Sequence, residues 1–325
     1  MTQTASAPLR LSDAAALANR IKQSIGSVIE GKPEQIHMAV LVLLAQGHLL
    51  LEDVPGVGKT VLAKALGRSI AGEVSRIQFT PDLLPSDVTG VSVFNQETRE
   101  FEFKPGGIFA NVVLGDEINR ASPKTQSALL EVMEEAMVTV DGVRYSAGRP
   151  FMVIATQNPV EQAGTYKLPE AQLDRFLMKT SVGYPGRDAA RKVLAESAQP
   201  DRSKNLSPVI SQQAIAEMCD LVRDNYVDDA ILDYVQDLAE ATRNDPDTSM
   251  GVSTRGAIAM VRAARVWAAA HGRNFVIPDD VKELVAPVWT HRIIMSPTAT
   301  FGGSSAQKVV ARVLSTVPSP ANQAG

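Results

Sequence analysis

Between Leu49 and about Thr180, short strand-like apolar runs alternate with segments of helical period. The runs are LLLE from Leu49, RIQF from Arg76, VVLGD from Val112, FMVIATQ from Phe151 and FLMKTSV from Phe176. That alternation predicts an α/β fold, a parallel sheet flanked by helices. Two segments follow a strict period of two instead, 91–103 around Asn95-Gln96-Glu97-Thr98 and 138–145 around Asp141-Gly142, and each predicts a β-hairpin. Ahead of the sheet, Ser12-Asp13 opens an amphipathic helix running toward Val28, and a second helix begins after Pro33. At Gly183–Arg187 the sequence GYPGR breaks the pattern, and beyond it strand signals vanish. Helices are expected over 188–198, 211–222, 229–243, 255–270, 279–288 and 305–314. The expected organisation is a tail over 1–10, an α/β core over 11–185, a small all-α domain over 186–318 and a second tail over 319–325.

The first strand runs into LEDVPGVGKTVLAKALG, where a buried run breaks into a Gly-rich turn and then a helix. This is the layout of a phosphate-binding loop. Backbone N–H groups around Gly56, Val57 and Gly58 can point into one concavity, the helix brings its positive dipole end, and Lys59 adds a full charge. The natural ligand is a nucleoside triphosphate, held by the loop and first helical turn: Pro55, Gly56, Val57, Gly58, Lys59, Thr60 and Val61. The usual pattern opens with Gly five residues before Gly58, and here that position is Asp53. Gly56 and Gly58 still allow backbone to approach phosphate closely, and Pro55 stiffens the turn.

The run VVLGD ends in the paired acids Asp116 and Glu117, at the carboxyl end of a strand, where open α/β sheets bind ligands. Two carboxylates there have separable tasks. Asp116 would hold Mg²⁺ together with Thr60, and Glu117 would polarise the attacking water.

The chain has 325 residues, 45% of them hydrophobic and only 5% aromatic, enough for two domains packed on aliphatic side chains. Its formal net charge of −4 gives no global basic field for wrapping nucleic acid. One cysteine, Cys219, excludes an internal disulfide and reads as core filler in a reducing compartment. The amino terminus lacks the apolar core of a signal peptide and the longest apolar run is far too short to span a bilayer, so a cytoplasmic protein is expected. His37, His48, His271 and His291 have no metal-ligand spacing and read as surface or packing residues.

Three long blocks are more specific than any single motif: TPDLLPSDVTG from Thr80, FKPGGIFANVVLGDEINRASPKTQSALLEVMEE from Phe103 and VIATQNPVEQAGTYKLPEAQLDRFLMK from Val153. Together they resemble the MoxR family of AAA+ ATPases, and the helical remainder resembles that family's lid domain. Asp53 in the loop is also a MoxR-like feature. The family is similar to magnesium-chelatase ATPase subunits in carrying both hairpins. The resemblance implies further roles. Asn158, ending a strand, matches sensor 1, whose amide can orient the attacking water. Arg175 in LDRF matches the arginine finger, which enters a neighbouring subunit's site, an effect of roughly 10³ to 10⁵ in rate in other systems. Arg255 in GVSTRG matches sensor 2, a cation of the second domain that feels the terminal phosphate. Val28 and Ile29 fall where such proteins seat the adenine.

A finger acting in trans implies a homo-oligomeric ring, a hexamer by resemblance, that turns ATP hydrolysis into chaperone-like remodelling of client proteins. In this family that work includes metal-cofactor insertion and partners with von Willebrand factor A domains. Two other readings share the ATPase chemistry: a nucleotide-gated scaffold with slow hydrolysis, and a nucleic-acid motor. The first hairpin, counted to Lys104, carries Glu97, Glu100 and Glu102 against Arg99 and Lys104, and the second, counted to Arg149, carries Asp141 against Arg144 and Arg149. Their charges cancel, which disfavours a phosphate-gripping motor.

Overall fold

The computed structural model describes residues 8–53, 56–158, 166, 168–195 and 202–320. Helices α1 (Ala14–Gly26) and α2 (Pro33–Leu44) precede β1 (Leu49–Glu52). The alternating core follows: α3 (Lys59–Ser69), β2 (Val74–Gln78), α4 (Pro85–Thr89), β3 (Val91–Asn95), β4 (Glu100–Lys104), β5 (Val112–Asp116), α5 (Pro123–Glu135), β6 (Met137–Val140), β7 (Val143–Ser146), β8 (Met152–Gln157), α6 (Glu170–Leu173) and β9 (Met178–Thr180). The remainder comprises α7 (Arg187–Ala195), α8 (Gln212–Arg223), α9 (Asp229–Arg243), β10 (Thr248–Met250), α10 (Thr254–Ala270), α11 (Pro278–Trp289), β11 (Ile294–Met295), α12 (Pro297–Phe301) and α13 (Ala306–Thr316).

Five strands form a parallel sheet in the order β2-β5-β8-β1-β9. Because successive strand residues face opposite sides, Leu49 and Leu51 join the core shared with α1, α2 and α3, while Leu50 joins the one packed on α5. Parallel pairing aligns all five carboxyl ends along one edge. The loop before α3, the acids at the end of β5 and Asn158 after β8 therefore share that edge, with β8 between β5 and β1.

Both expected hairpins form, β3 with β4 and β6 with β7. The second turns on Asp141 at φ 49° and Gly142 at φ 80°, the left-handed pair that matches the twist of tight hairpins. Phe103 of the first hairpin stacks on Tyr145 of the second with ring centroids 3.9 Å apart, so the two insertions touch. At the far end of the first, Phe94 and Phe101 meet edge to face at 5.3 Å and remain 48% and 73% exposed.

The carboxyl-terminal helices bury one stripe each, and α10 packs on α1 and α2 as well as on α8, α9 and α11. Ser211, Asp228, Ser253 and Ser305 each cap a helix with a side-chain oxygen. One expectation needs correction here. Strands do not stop at Gly183, since β10 pairs antiparallel with β11. At three and two residues these pieces are too short to show a period, and their partners lie far apart in sequence. Cys219 is buried, its thiol pushed up to about 12 by that burial, as a filler would be. His48 and His291 are buried and hydrogen-bonded, and His37 packs beside Trp267 and His271. No described helix is long and apolar enough to cross a membrane.

Candidate functional site

The loop ahead of α3 takes its shape from two glycines. Gly56 at φ 87° and Gly58 at φ 98° lie where side chains are strained, and a Cβ added at either would meet nothing within 4 Å. Open space over exposed backbone of this kind can take phosphate oxygens. Val57 is buried and anchors the turn, while Lys59, Thr60 and Val61, half-buried, form the first turn of α3. Lys59 Nζ donates to the carbonyl of Asp53 at 3.3 Å. Pro55 lies outside the described residues.

Two strands away, Asp116 ends β5. Its Oδ1 accepts from Thr156 Oγ1 at 2.8 Å, and its Oδ2 from Arg76 at 2.7 Å. Glu117 follows in the left-handed region at φ 55°, a costly conformation for a residue with a side chain, fixed here by its N–H donating to the same Thr156 Oγ1 at 2.9 Å. One hydroxyl on β8 thus sets both acids. Glu117 Oε2 also accepts from Arg120 at 2.9 Å and from Gln78 at 3.3 Å. Asn158, half-buried, leaves β8 between the loop strand and the acid strand. Among the described residues no group of three or more His, Cys, Asp or Glu could hold a metal. Asp116 with Thr60 suits Mg²⁺ nonetheless, because that ion is commonly held by one or two protein oxygens together with substrate phosphates and waters.

Val28 and Ile29 pack partly buried against the core between α1 and α2, and Gly31, two residues on, abuts Ala189 of α7. This brings the expected adenine segment beside the first helix after the sheet.

Arg175 and Arg255 are not brought to that edge. Arg175 precedes β9, at the amino-terminal edge of the sheet, where its guanidinium bonds the Leu130 carbonyl and pairs with Glu134 at 3.1 Å. Arg255, in the first turn of α10, pairs with the same Glu134. Both line a cavity of about 490 Å³ with His48, Phe151 and Leu177, each of which immediately precedes a sheet strand or its first residue. Five residues of extended chain from His48 to Asp53 put this cavity about 16 Å from the phosphate loop. Arg292 holds it together. It bonds Asp174 Oδ1 at 2.7 Å and the Phe176 carbonyl at 2.7 Å, and Ser253 Oγ donates to Asp174 Oδ2 at 2.7 Å, so the loop carrying Arg175 is clasped to the helix carrying Arg255.

Thr156, Arg76, Glu134 and Arg292 were not singled out from sequence. Only Thr156 leaves a usable signal: it sits two residues before Asn158 in a buried run, and a hydroxyl there needs a partner.

This arrangement defines an AAA-type ATPase with a lid. Residues 48–178 match the family described as "ATPase family associated with various cellular activities (AAA)", and residues 240–313 match the AAA lid domain. The chain is 48% identical over 304 residues to the uncharacterised protein YeaC of Bacillus subtilis, covering 94% of this chain and 95% of that one. It is 40% identical over 303 residues to Chaperone MoxR1 of Mycobacterium tuberculosis, covering 90% and 80%. A crystal structure of a protein from Cytophaga hutchinsonii superposes with a TM-score of 0.88 at 35% identity, covering 95% and 96%. The chain belongs to the MoxR family of AAA+ ATPases and is an ATP hydrolase.

Proposed function

We propose that this protein hydrolyses ATP in a ring of its own copies and uses the cycle for chaperone-like remodelling of client proteins. The observation that carries the proposal is the separation of the arginine cavity from the phosphate loop by the height of the sheet. One copy has cations facing away from its own nucleotide, so a complete site takes its arginines from a neighbour.

Within that site, Gly56 through Val61 and Pro55 cradle the triphosphate, with Lys59 on its outer phosphates. Val28 and Ile29 contact the base. Glu117 accepts a hydrogen bond from the attacking water and Asn158 orients it. Bound Mg²⁺, held through Asp116 and Thr60, would neutralise charge on the phosphate oxygens. Arg175 and Arg255 of the neighbour then meet the charge that develops on the transferred group. Hydrolysis removes that anchor, and the movement reaches a client through the hairpins, whose exposed Phe94 and Phe101 offer an apolar grip.

The relative named Chaperone MoxR1 supports the chaperone part. The family resemblance extends it to cytoplasmic maturation of partners, including metal-cofactor insertion with a von Willebrand factor A domain protein. A slower, switch-like cycle is favoured by one feature: Asp116 and Glu117 are each paired with an arginine, Arg76 and Arg120.

ATPase rate measured against protein concentration, with mass followed by light scattering, tests the reading. Specific activity that climbs with assembly and is lost in Arg175→Ala supports a shared-site motor. A slow rate indifferent to assembly supports the switch.

A further inference from the structure

Asp53 stands where the phosphate-loop pattern has its first glycine, yet it is buried, with 4% of its surface exposed. A carboxylate kept from water must have partners. Its Oδ1 accepts from Ser181 Oγ at 2.8 Å and from the Gly183 N–H at 2.9 Å, and its Oδ2 accepts from the Val182 N–H. Successive amides of Val182 and Gly183 thus form a nest that this one side chain fills.

The segment so gripped is the strap between β9 and α7, the chain's exit from the sheet toward the lid. It is held from its other side too. Lys32 Nζ donates to the carbonyls of Val182 and Tyr184, and Gln35 Nε2 donates to that of Ser181 at 3.2 Å. Asp53 in turn donates its own N–H to Gln157 at the end of β8, and its carbonyl accepts from Lys59. Its backbone therefore belongs to the phosphate site and its side chain belongs to the strap.

We propose that Asp53 is a positioning residue that couples the phosphate loop to the strap. When Lys59 turns toward bound phosphate, its pull on the Asp53 carbonyl is released, and the Asp53 carboxylate passes the shift to Val182 and Gly183. A glycine at this position could form the loop but could not transmit.

Amide hydrogen exchange of the full chain tests this, read at Val182–Tyr184 without nucleotide, with ADP, and with a non-hydrolysable ATP analogue plus Mg²⁺. In the wild-type protein, strap protection should change about tenfold between the ADP and ATP-analogue states. In Asp53→Gly the analogue should still bind within about threefold of wild type, while kcat falls about tenfold and the strap no longer responds to nucleotide. Asp53→Asn, which keeps one acceptor, should recover part of the response. If Asp53→Gly does not fold, Ser181→Ala carries the test, with a smaller loss of kcat, unchanged binding and a weakened strap response. Wild-type strap protection that ignores nucleotide would overturn the proposal. So would a folded Asp53→Gly, or Ser181→Ala in its place, that keeps both kcat and the full response.

Discussion

Arg175 and Arg255 meet on one carboxylate: both guanidinium groups pair with Glu134 at the carboxyl end of α5. Eighty residues of chain separate the two arginines, and they come from the core and the lid respectively. A shared acid at that junction fixes the spacing of two cations, which a triphosphate arriving from a neighbour would need. Replacing Glu134 with Ala should therefore lower kcat about tenfold and leave ATP affinity nearly unchanged, because orientation is lost and charge is not. Steady-state kinetics beside a fluorescent-nucleotide titration separates the two effects.

Glu117 is held in a left-handed backbone conformation by Thr156, which also bonds Asp116. Glu117→Gln should retain ATP binding and lose hydrolysis by about 10² to 10⁴. Thr156→Val should show a milder loss with the same sign, since the acids remain but are no longer set. Lys59→Ala should weaken binding itself, which isothermal titration would register directly.

Arg292 is the most buried cation of the core–lid clasp, its side chain 2% exposed, and burial lowers it to about 10 although Asp174 opposes that. Arg292→Ala would leave Asp174 with only the Ser253 hydroxyl and take a donor from several carbonyls, and removing one partner of such a buried pair costs about 3–5 kcal/mol. Chemical denaturation should report that loss. Arg292→Lys should recover only part of it, because a single ammonium cannot reach the same fork of acceptors.

His48 accepts the Val153 N–H on Nδ1 at 3.0 Å, which leaves Nε2 to donate to the Met133 carbonyl at 2.7 Å, so the ring is built neutral. Burial lowers it from near 6.5 to about 4, and burial, with Arg292 alongside, holds His291 well below its ordinary value too. For both, the unfolded chain binds the proton and the folded chain does not. Their stabilisation is full above about pH 6.5 and is lost as pH falls toward 4, at about 1.4 kcal/mol per pH unit for each. Urea midpoints measured between pH 7.5 and 4.5 should fall along that slope, and His48→Gln should flatten it.

The glycine turn ahead of α3, the placement of the two acids at the end of β5 and both hairpins were legible in sequence because each is local: a Gly-Lys-Thr turn, an apolar run ending in acids, an alternating segment around a tight turn. Strand VVLGD matches β5 in full, and the helix over 229–243 matches α9. What stayed hidden depends on residues distant in the chain. Thr156 acts on acids 39 and 40 residues away, Glu134 gathers arginines from two domains, and β10 finds β11 across more than 40 residues. The role of Asp53 needed the structure as well. Its departure from the loop pattern is visible in sequence, but its partners at 181–183 are not.

Mixing two inactive variants tests the shared site most directly. Under the proposed function, Lys59→Ala should bind nucleotide weakly while keeping its arginines, and Arg175→Ala should bind nucleotide without supplying a finger. Each alone should be inactive, and their mixture, at concentrations where copies assemble, should regain part of the wild-type ATPase rate. A mixture as inactive as its parts, with mixed assemblies present by light scattering, would contradict an arginine supplied by the neighbour.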